Sequence, residues 1–525
     1  MIYEGIVIAG GFFAFVAAMG IGANDVANAY ATAVGSKSLT IKQSVVLAAI
    51  FETSGAILMG SHVSNTIRKG IADYECFDDD PGPLMYGCMC VCISVGFWLF
   101  LASKYEMPVS TTHSCVGGMI GMTIALKGTR CVNWYEKKEL FPYVGGVSGI
   151  VLSWIISPVA SAIIASTLFS IIRSFILRSR HSVIRTTIFF PVLIGGTVTL
   201  NSFFIIYKGA KGMGLHETPL NIACLWSFGI GGSVAILVIP FLPKIRYNAE
   251  NYIQNIQTRR QTNLESNELS ATELQETTPQ PILERQEEIR QVQESDVNVL
   301  IKDSSNLWGL TTYINKSIKV DLNDIVTADE TVNSIHANAE LFDDTTEEYF
   351  KSLQIFTAIC DSFSHGANDV ANAIGPFMAI YMIGKNGSVD KENSFNDNTA
   401  YWMLAIGGVG ISLGLFIYGY KILHAIGIKL CKLTPSRGCA IELASAIVII
   451  TGSRLEIPLS TTHCQVGATL GVAALEDPRH CSGINLKIVG KCIGGWIMTL
   501  IVVGCTTAAL TAQGAYSPEV GVHCD

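Results

Sequence analysis

Two octapeptides and two hexapeptides concentrate the polar chemistry of this 525-residue chain. GANDVANA occurs at 22–29 and again at 366–373, each time directly after an apolar run. If those runs lie in a membrane, the carboxylates of Asp25 and Asp369 each cost roughly 2.5 to 3.5 kcal/mol there, so they should face a polar cavity or an ion. Asn24, Asn28, Asn368 and Asn372 add amide oxygens. Carboxylate, amide and freed backbone carbonyls are the hard oxygen ligands that suit a small alkali cation. The hexapeptides are PVSTTH at 108–113 and PLSTTH at 458–463. Proline favours the first turn of a helix, so Ser110, Thr111 and Thr112, like Ser460, Thr461 and Thr462, are expected at a helix start. Free N–H groups, the helix dipole and three hydroxyls make such a start a site for an oxyanion, and two opposed copies can enclose a tetrahedral one.

Plainer readings exist for each stretch. GANDVANA can serve as a small-residue helix crossing, although packing does not require an Asp twice. The hydroxyls can cap their own helices. Glu52 in AIFETSGAIL and Glu442 in CAIELASAIV are further carboxylates in apolar runs. They are not repeat mates, since Glu52 aligns roughly with Gly407 and Glu442 with Cys92. Ion coupling is the favoured role for both, ahead of a structural pair. His113 and His463 follow the hydroxyl clusters and read as helix-terminal hydrogen bonders ahead of titrating groups. His365 has no counterpart, because Ile21 occupies the matching place.

The elements that must position these residues are apolar. Nearly half the residues are hydrophobic, mean hydropathy is +0.40, and 49 are glycine. Apolar windows of about 20 residues, long enough to cross a bilayer, recur along the chain. The expected fold is therefore an all-α integral membrane protein of about twelve transmembrane helices. Residues 1–245 form a first half with seven candidate crossings and 351–525 a second half with five. The segments that start near 107 and 457 can also be re-entrant. Between the halves, 246–350 is polar and carries 20 acidic against 8 basic residues, so the net charge of −8 belongs to a loop expected to be largely disordered. The remainder is slightly basic, which gives no reason to expect nucleic-acid binding. The N-terminus lacks the basic start and cleavage site of a signal peptide and reads as a retained first span.

The Lys/Arg bias sets an orientation. Four arginines in RSFILRSRHSVIR (173–185), two crossings before the large loop, put both on the cytoplasmic side and both termini outside. The sequon at Asn386 then lies outside, where it can accept a glycan. Fifteen cysteines show no metal-ligand spacing and no organic cofactor is expected. Cys76 and Cys131 lie in loops and can pair if these face an oxidising side.

The duplication is larger than either motif. Asp25 precedes Ser110 by 85 residues and Asp369 precedes Ser460 by 91. Seven crossings separate the GANDVANA spans, an odd number, so the two should run in opposite directions. Two inverted repeats whose broken or re-entrant helices meet at mid-membrane are the arrangement of secondary transporters. A different class of function, an intramembrane serine hydrolase using Ser110, His113 and Asp25, is disfavoured by the close Ser-His spacing and by the duplication. A passive channel has no need of paired carboxylates.

The duplicated GANDVANA, with both Pro-x-Ser-Thr-Thr-His blocks, FETSGAIL around Glu52 and IELASA around Glu442, resembles the PiT family of inorganic phosphate transporters. The resemblance covers roughly 1–245 and 350–515. It implies symport of phosphate with sodium or, in some members, with protons, and no enzymatic activity. It implies phosphate contact by Asp25, Ser110, Thr111, Thr112, Asp369, Ser460, Thr461 and Thr462. It implies sodium as coupling ion at Asn24, Asn28, Asn368 and Asn372, with Glu52 and Glu442 also required. A plasma-membrane location is expected, and the resemblance also implies a homodimer. Sulfate remains an alternative oxyanion, against which chemistry argues: a buried Asp repels an oxyanion unless the anion donates a proton to it, as protonated phosphate can.

Overall fold

The computed structural model describes residues 4–139, 143–207, 215, 218–273, 330–389, 397–476 and 482–516. The helices are α1 (Glu4–Ile21), α2 (Ala27–Gly35), α3 (Ile41–Gly70), α4 (Gly82–Lys104), α5 (Thr111–Lys127), α6 (Gly146–Ile172), α7 (Ser182–Ile206), α8 (Leu220–Val238) and α9 (Leu242–Glu273). They continue as α10 (Glu330–Asn338), α11 (Asp344–Asn386), α12 (Asp397–Tyr418), α13 (Tyr420–Gly427), α14 (Pro435–Arg454), α15 (Thr461–Ala473) and α16 (Leu486–Ala515). The one sheet among the described residues is an antiparallel pair, β1 (Glu136–Lys137) and β2 (Val144–Gly145).

Nine helical stretches among the described residues are long and apolar enough to cross a membrane, where hydropathy reading expected about twelve. The difference falls on the motif-bearing elements. α5 and α15 have 17 and 13 residues, short of the roughly 20 that a span needs. α11 is ample at 43 residues but carries the polar second GANDVANA. Outward faces of α6, α8 and α16 expose Ile155, Ile163, Trp226, Phe228, Ile497 and Ile501, an apolar surface of the kind that lipid covers.

Two helical hairpins hold the hydroxyl clusters. α4 packs on α5, and α14 on α15. Pro108 and Pro458 cannot continue a helix, so each chain turns before its Ser. Glu106 and Glu456, four residues before Ser110 and Ser460, both take the left-handed conformation (φ 53° and 57°), so the two turns are built alike. The far end of the first hairpin is closed by a disulfide between Cys76 and Cys131, the pairing that the sequence leaves open for loops on an oxidising side. The far end of the second is closed by Arg437 in the first turn of α14 and Glu476 beyond α15, 2.5 Å apart.

The helix breaks that precede the hydroxyl clusters fall where the prolines predict helix starts, whereas the broken helices expected around GANDVANA are not seen as breaks. The first GANDVANA is only loosened into a π turn, Gly22–Val26, between α1 and α2; such turns recur at functional sites. The second lies within continuous α11. Close packing explains the motif's first glycine: a Cβ at Gly22 would collide with the carbonyl of Ile411 in α12, and one at Gly366 with the backbone of Glu52 in α3. The polar segment is helical at both ends, through α9, α10 and the start of α11. Its middle, 274–329, where disorder was expected, lies outside the described residues.

Candidate functional site

Asp25 sits where four elements meet. Its Oδ1 accepts from Asn28 Nδ2 (2.9 Å) and Thr462 Oγ1 (2.7 Å), and its Oδ2 accepts from Thr111 Oγ1 (2.6 Å). Hydroxyls from both hairpins thus converge on one carboxylate. Asp369 accepts from Thr461 Oγ1 at 3.1 Å on each oxygen and from Asn368 Nδ2 at 3.1 Å. All these side chains are buried, which strengthens charge-assisted bonds of this kind.

The four asparagines divide into two roles. The first Asn of each motif grips the turn of its own half's hairpin. Asn24 donates to Met107 O and Ser103 Oγ (3.0 Å each) and accepts from Val109 N (2.9 Å), and Asn368 donates to Leu459 O (3.0 Å). The second Asn crosses to the other hairpin: Asn28 reaches Thr462 Oγ1 (3.3 Å), and Asn372 reaches Thr111 and Thr112 Oγ1 (3.1 and 3.4 Å). Thr112 donates to Leu459 O (2.6 Å) and Thr462 approaches Val109 O (3.2 Å), which ties each turn to the opposite hydroxyl cluster. The amide oxygens of Asn28, Asn368 and Asn372 are buried without a hydrogen-bond partner, a cost that a bound cation would remove. Asn24, expected among the cation ligands, has its oxygen engaged by Val109 N–H.

Ser110 and Ser460 cap their own helices, accepting from the backbone N–H of His113 and His463 (3.3 Å each). The capping reading thus holds for the serines, whereas the threonines point across the site. The imidazoles turn away: His113 stacks on Trp154 (centroids 3.6 Å apart), His463 lies against Trp496 (3.8 Å), and His463 Nδ1 is 3.0 Å from Trp154 O. His113 therefore meets Ser110 through its backbone and not its ring, and Asp25 is occupied by threonines, so the hydrolase triad is not assembled.

Glu442 is held by Thr32 Oγ1 (2.5 Å), Gln354 Nε2 (3.1 Å) and Thr357 Oγ1 (2.6 Å). Glu52 accepts from Ser362 Oγ (3.1 Å), and its Oε2 is buried without a partner. Sequence reasoning missed Asp361. It lies one turn before His365, whose ring nitrogens are 3.7 Å from Asp361 and 3.6 Å from Asp369. The spacing of 361, 365 and 369 along one helix was the available signal.

The chain that carries these acids, amides and hydroxyls has matches among known proteins. The sequence pattern of the group described as the Phosphate transporter family matches residues 21–507. The chain belongs to this phosphate transporter family. It is 28% identical to the phosphate-repressible phosphate permease pho-4 of Neurospora crassa over 98% of both chains. To the sodium-dependent phosphate transporter 1 of Mus musculus it is 27% identical over 94% of this chain and 93% of that one. A solved structure described as the sodium-dependent phosphate transporter superposes with a TM-score of 0.71 at 28% identity, covering 98% of this chain and all of that one. This phosphate transporter is accordingly a multi-pass membrane protein and not an enzyme.

Proposed function

We propose that this phosphate transporter is a sodium-coupled symporter in which Asp25, Ser110, Thr111, Thr112, Asp369, Ser460, Thr461 and Thr462 hold one phosphate. The observation that carries the reading is the convergence of Thr111 and Thr462, one from each hairpin, on Asp25. Phosphate entering between the clusters takes over these hydroxyl donors, and its own protonated oxygens donate to the carboxylates. Sodium is assigned to the partnerless oxygens of Asn28, Asn368 and Asn372, near the buried acids. Glu52, with one free oxygen, suits the same role, while Glu442, saturated by three donors, suits a structural part in it. The name of the mouse relative supports sodium as the coupling ion.

The two like-built turns, with hairpin ends closed at 76–131 and 437–476, favour the inverted-repeat arrangement, the two motif-bearing spans antiparallel and the site at mid-membrane. With 173–185 inside, Asn386, exposed at the end of α11, faces outward as a glycan acceptor. The three-part division, a plasma-membrane location and a homodimer belong to the same reading.

Purified protein in liposomes tests it, with sodium and pH varied separately. Phosphate uptake and inward current in sodium, but not in choline, are expected. With two sodium ions per monovalent phosphate, each cycle carries one net charge, and a membrane potential adds about 2.3 kcal/mol per 100 mV. Equal uptake in both media, rising at acid pH, would establish proton coupling instead; competition by sulfate would overturn the selectivity that protonated phosphate is argued to give.

A further inference from the structure

The segment from α10 to Phe342 lies across the far end of the α14–α15 hairpin, outside the phosphate network. Val332, Ile335 and Ala339 are buried there. His336 Nε2 is 3.1 Å from Ile428 O, and Lys432 Nζ donates to His336 O (3.1 Å). Glu340 is the centre of the contact. Its N–H donates to Glu476 Oε2 (2.8 Å), and its carbonyl accepts from Arg437 Nη2 (2.8 Å). Its carboxylate is held by two nitrogens of Arg178 (2.8 and 3.0 Å) and by Arg173. Arg437 is 1% exposed, pairs with Glu476 and lies near the rings of Phe169 and Phe342 (5.6 and 5.3 Å). One residue thus joins the end of α6, the α10 segment and both arms of the hairpin.

The two hairpins are closed by different chemistry. The α4–α5 end is covalently tied. The α14–α15 end is held by ion pairs, of which the outermost, Arg178–Glu340, is open to water. Partly exposed ion pairs and a nine-residue helix open at low free energy, whereas a disulfide does not. The α10 segment can therefore lift reversibly from the end of the second hairpin, while the buried Arg437–Glu476 pair keeps the hairpin's two arms together.

We propose that the α10 segment, with Glu340 as its positioning residue, is a latch that seats the α14–α15 hairpin while the site is closed and releases it during transport. Through the hairpin it sets the reach of Thr461 and Thr462 to the two aspartates. The transport arm of the test rests on the phosphate site proposed above; the labelling arm does not.

Cys431 is a built-in reporter, 4% exposed and lining a small cavity with Ile335, Ala339, Arg437 and Glu476. The full-length protein in membranes is labelled with a membrane-permeant maleimide, and each cysteine is read by mass spectrometry. Glu340→Gln is expected to raise the Cys431 rate about fivefold, equivalent to about 1 kcal/mol, and to change the KM for phosphate more than twofold. Cys115 in the first hairpin should stay protected, and Glu340→Asp should remain near wild type in both readouts. Unchanged Cys431 labelling would overturn the latch, as would an equal rise at Cys115, which signals general loosening. Faster Cys431 labelling with unchanged KM and Vmax would overturn its part in transport.

Discussion

Asp25 and Asp369 occupy equivalent motif positions but unequal surroundings, and this yields a ranked prediction. Asp25→Asn keeps the shape of the side chain and turns an acceptor-only group into one with an amide donor. Three donors now converge on Asp25: Thr111 at 2.6 Å, Thr462 at 2.7 Å and Asn28 at 2.9 Å. A hydrogen bond to a charged group is worth about 1.5 to 3 kcal/mol against about 1 for a neutral pair. On phosphate binding the two threonine hydroxyls pass to the anion and its protonated oxygens donate to the carboxylate in their place. An amide weakens each of those bonds by about 1 kcal/mol and turns a donor toward one of them, which costs the bound state about 2 to 4 kcal/mol. That corresponds to a loss of roughly 30-fold to 1000-fold in Vmax/KM for phosphate. Asp369 receives one threonine hydroxyl, Thr461, shared between its two oxygens, so Asp369→Asn should cost several-fold less. The assay is initial-rate uptake of labelled phosphate and of labelled sulfate into vesicles, normalised to folded transporter. Relaxed exclusion of sulfate is expected in both variants. Asp25→Asn with full phosphate uptake and unchanged sulfate exclusion would refute the reasoning, and equal losses at the two positions would refute the ranking.

Asn24→Ala removes the acceptor of Val109 N–H and the donor to Met107 O; a rise of about tenfold in phosphate KM is expected, with sodium half-saturation unchanged. A shifted sodium dependence would return Asn24 to the cation ligands. Cys76→Ser opens a disulfide that spans 55 residues, worth about 4 kcal/mol by chain entropy, so thermal unfolding should move to lower temperature, and an unmoved transition would contradict this. His336 is held below its ordinary 6.5 mainly by burial, with Lys432 adding to the effect against the bond to Ile428 O. Its contribution to the latch is therefore complete above pH 6.5 and lost as pH falls through the lowered value. Cys431 labelling, corrected for the pH dependence of a free thiol's reaction, should rise on acidification below about 6.5, and His336→Gln should flatten that rise.

Much of the site was legible because it is local. The order Gly-Ala-Asn-Asp and the proline before Ser-Thr-Thr depend on residue type and helix rules, and the structure brings both copies of both motifs together. The crossing count was less legible, since a run of apolar residues does not show that α5 and α15 stop short of the length a span needs, nor that α11, long enough for one, carries the polar second GANDVANA within a continuous helix. The helix starts read from Pro108 and Pro458 are where the structure has them, while the further break expected at GANDVANA does not occur, because glycine and asparagine permit a break but do not require one.

The sequence by itself determined which chemistry is present: one carboxylate, two amides and three hydroxyls, in two copies and one order. Only the tertiary structure decided which of them meet. Asn28 and Thr462 are 434 residues apart, and nothing in local periodicity says that the second Asn of each motif crosses between halves while the first stays within its own. Nor does spacing reveal that Asp25 collects hydroxyls from both hairpins and Asp369 from one, or that Glu340 closes over Arg437. Those choices follow from how closely packed helices pass one another, which depends on every side chain at each crossing and not on the motifs alone.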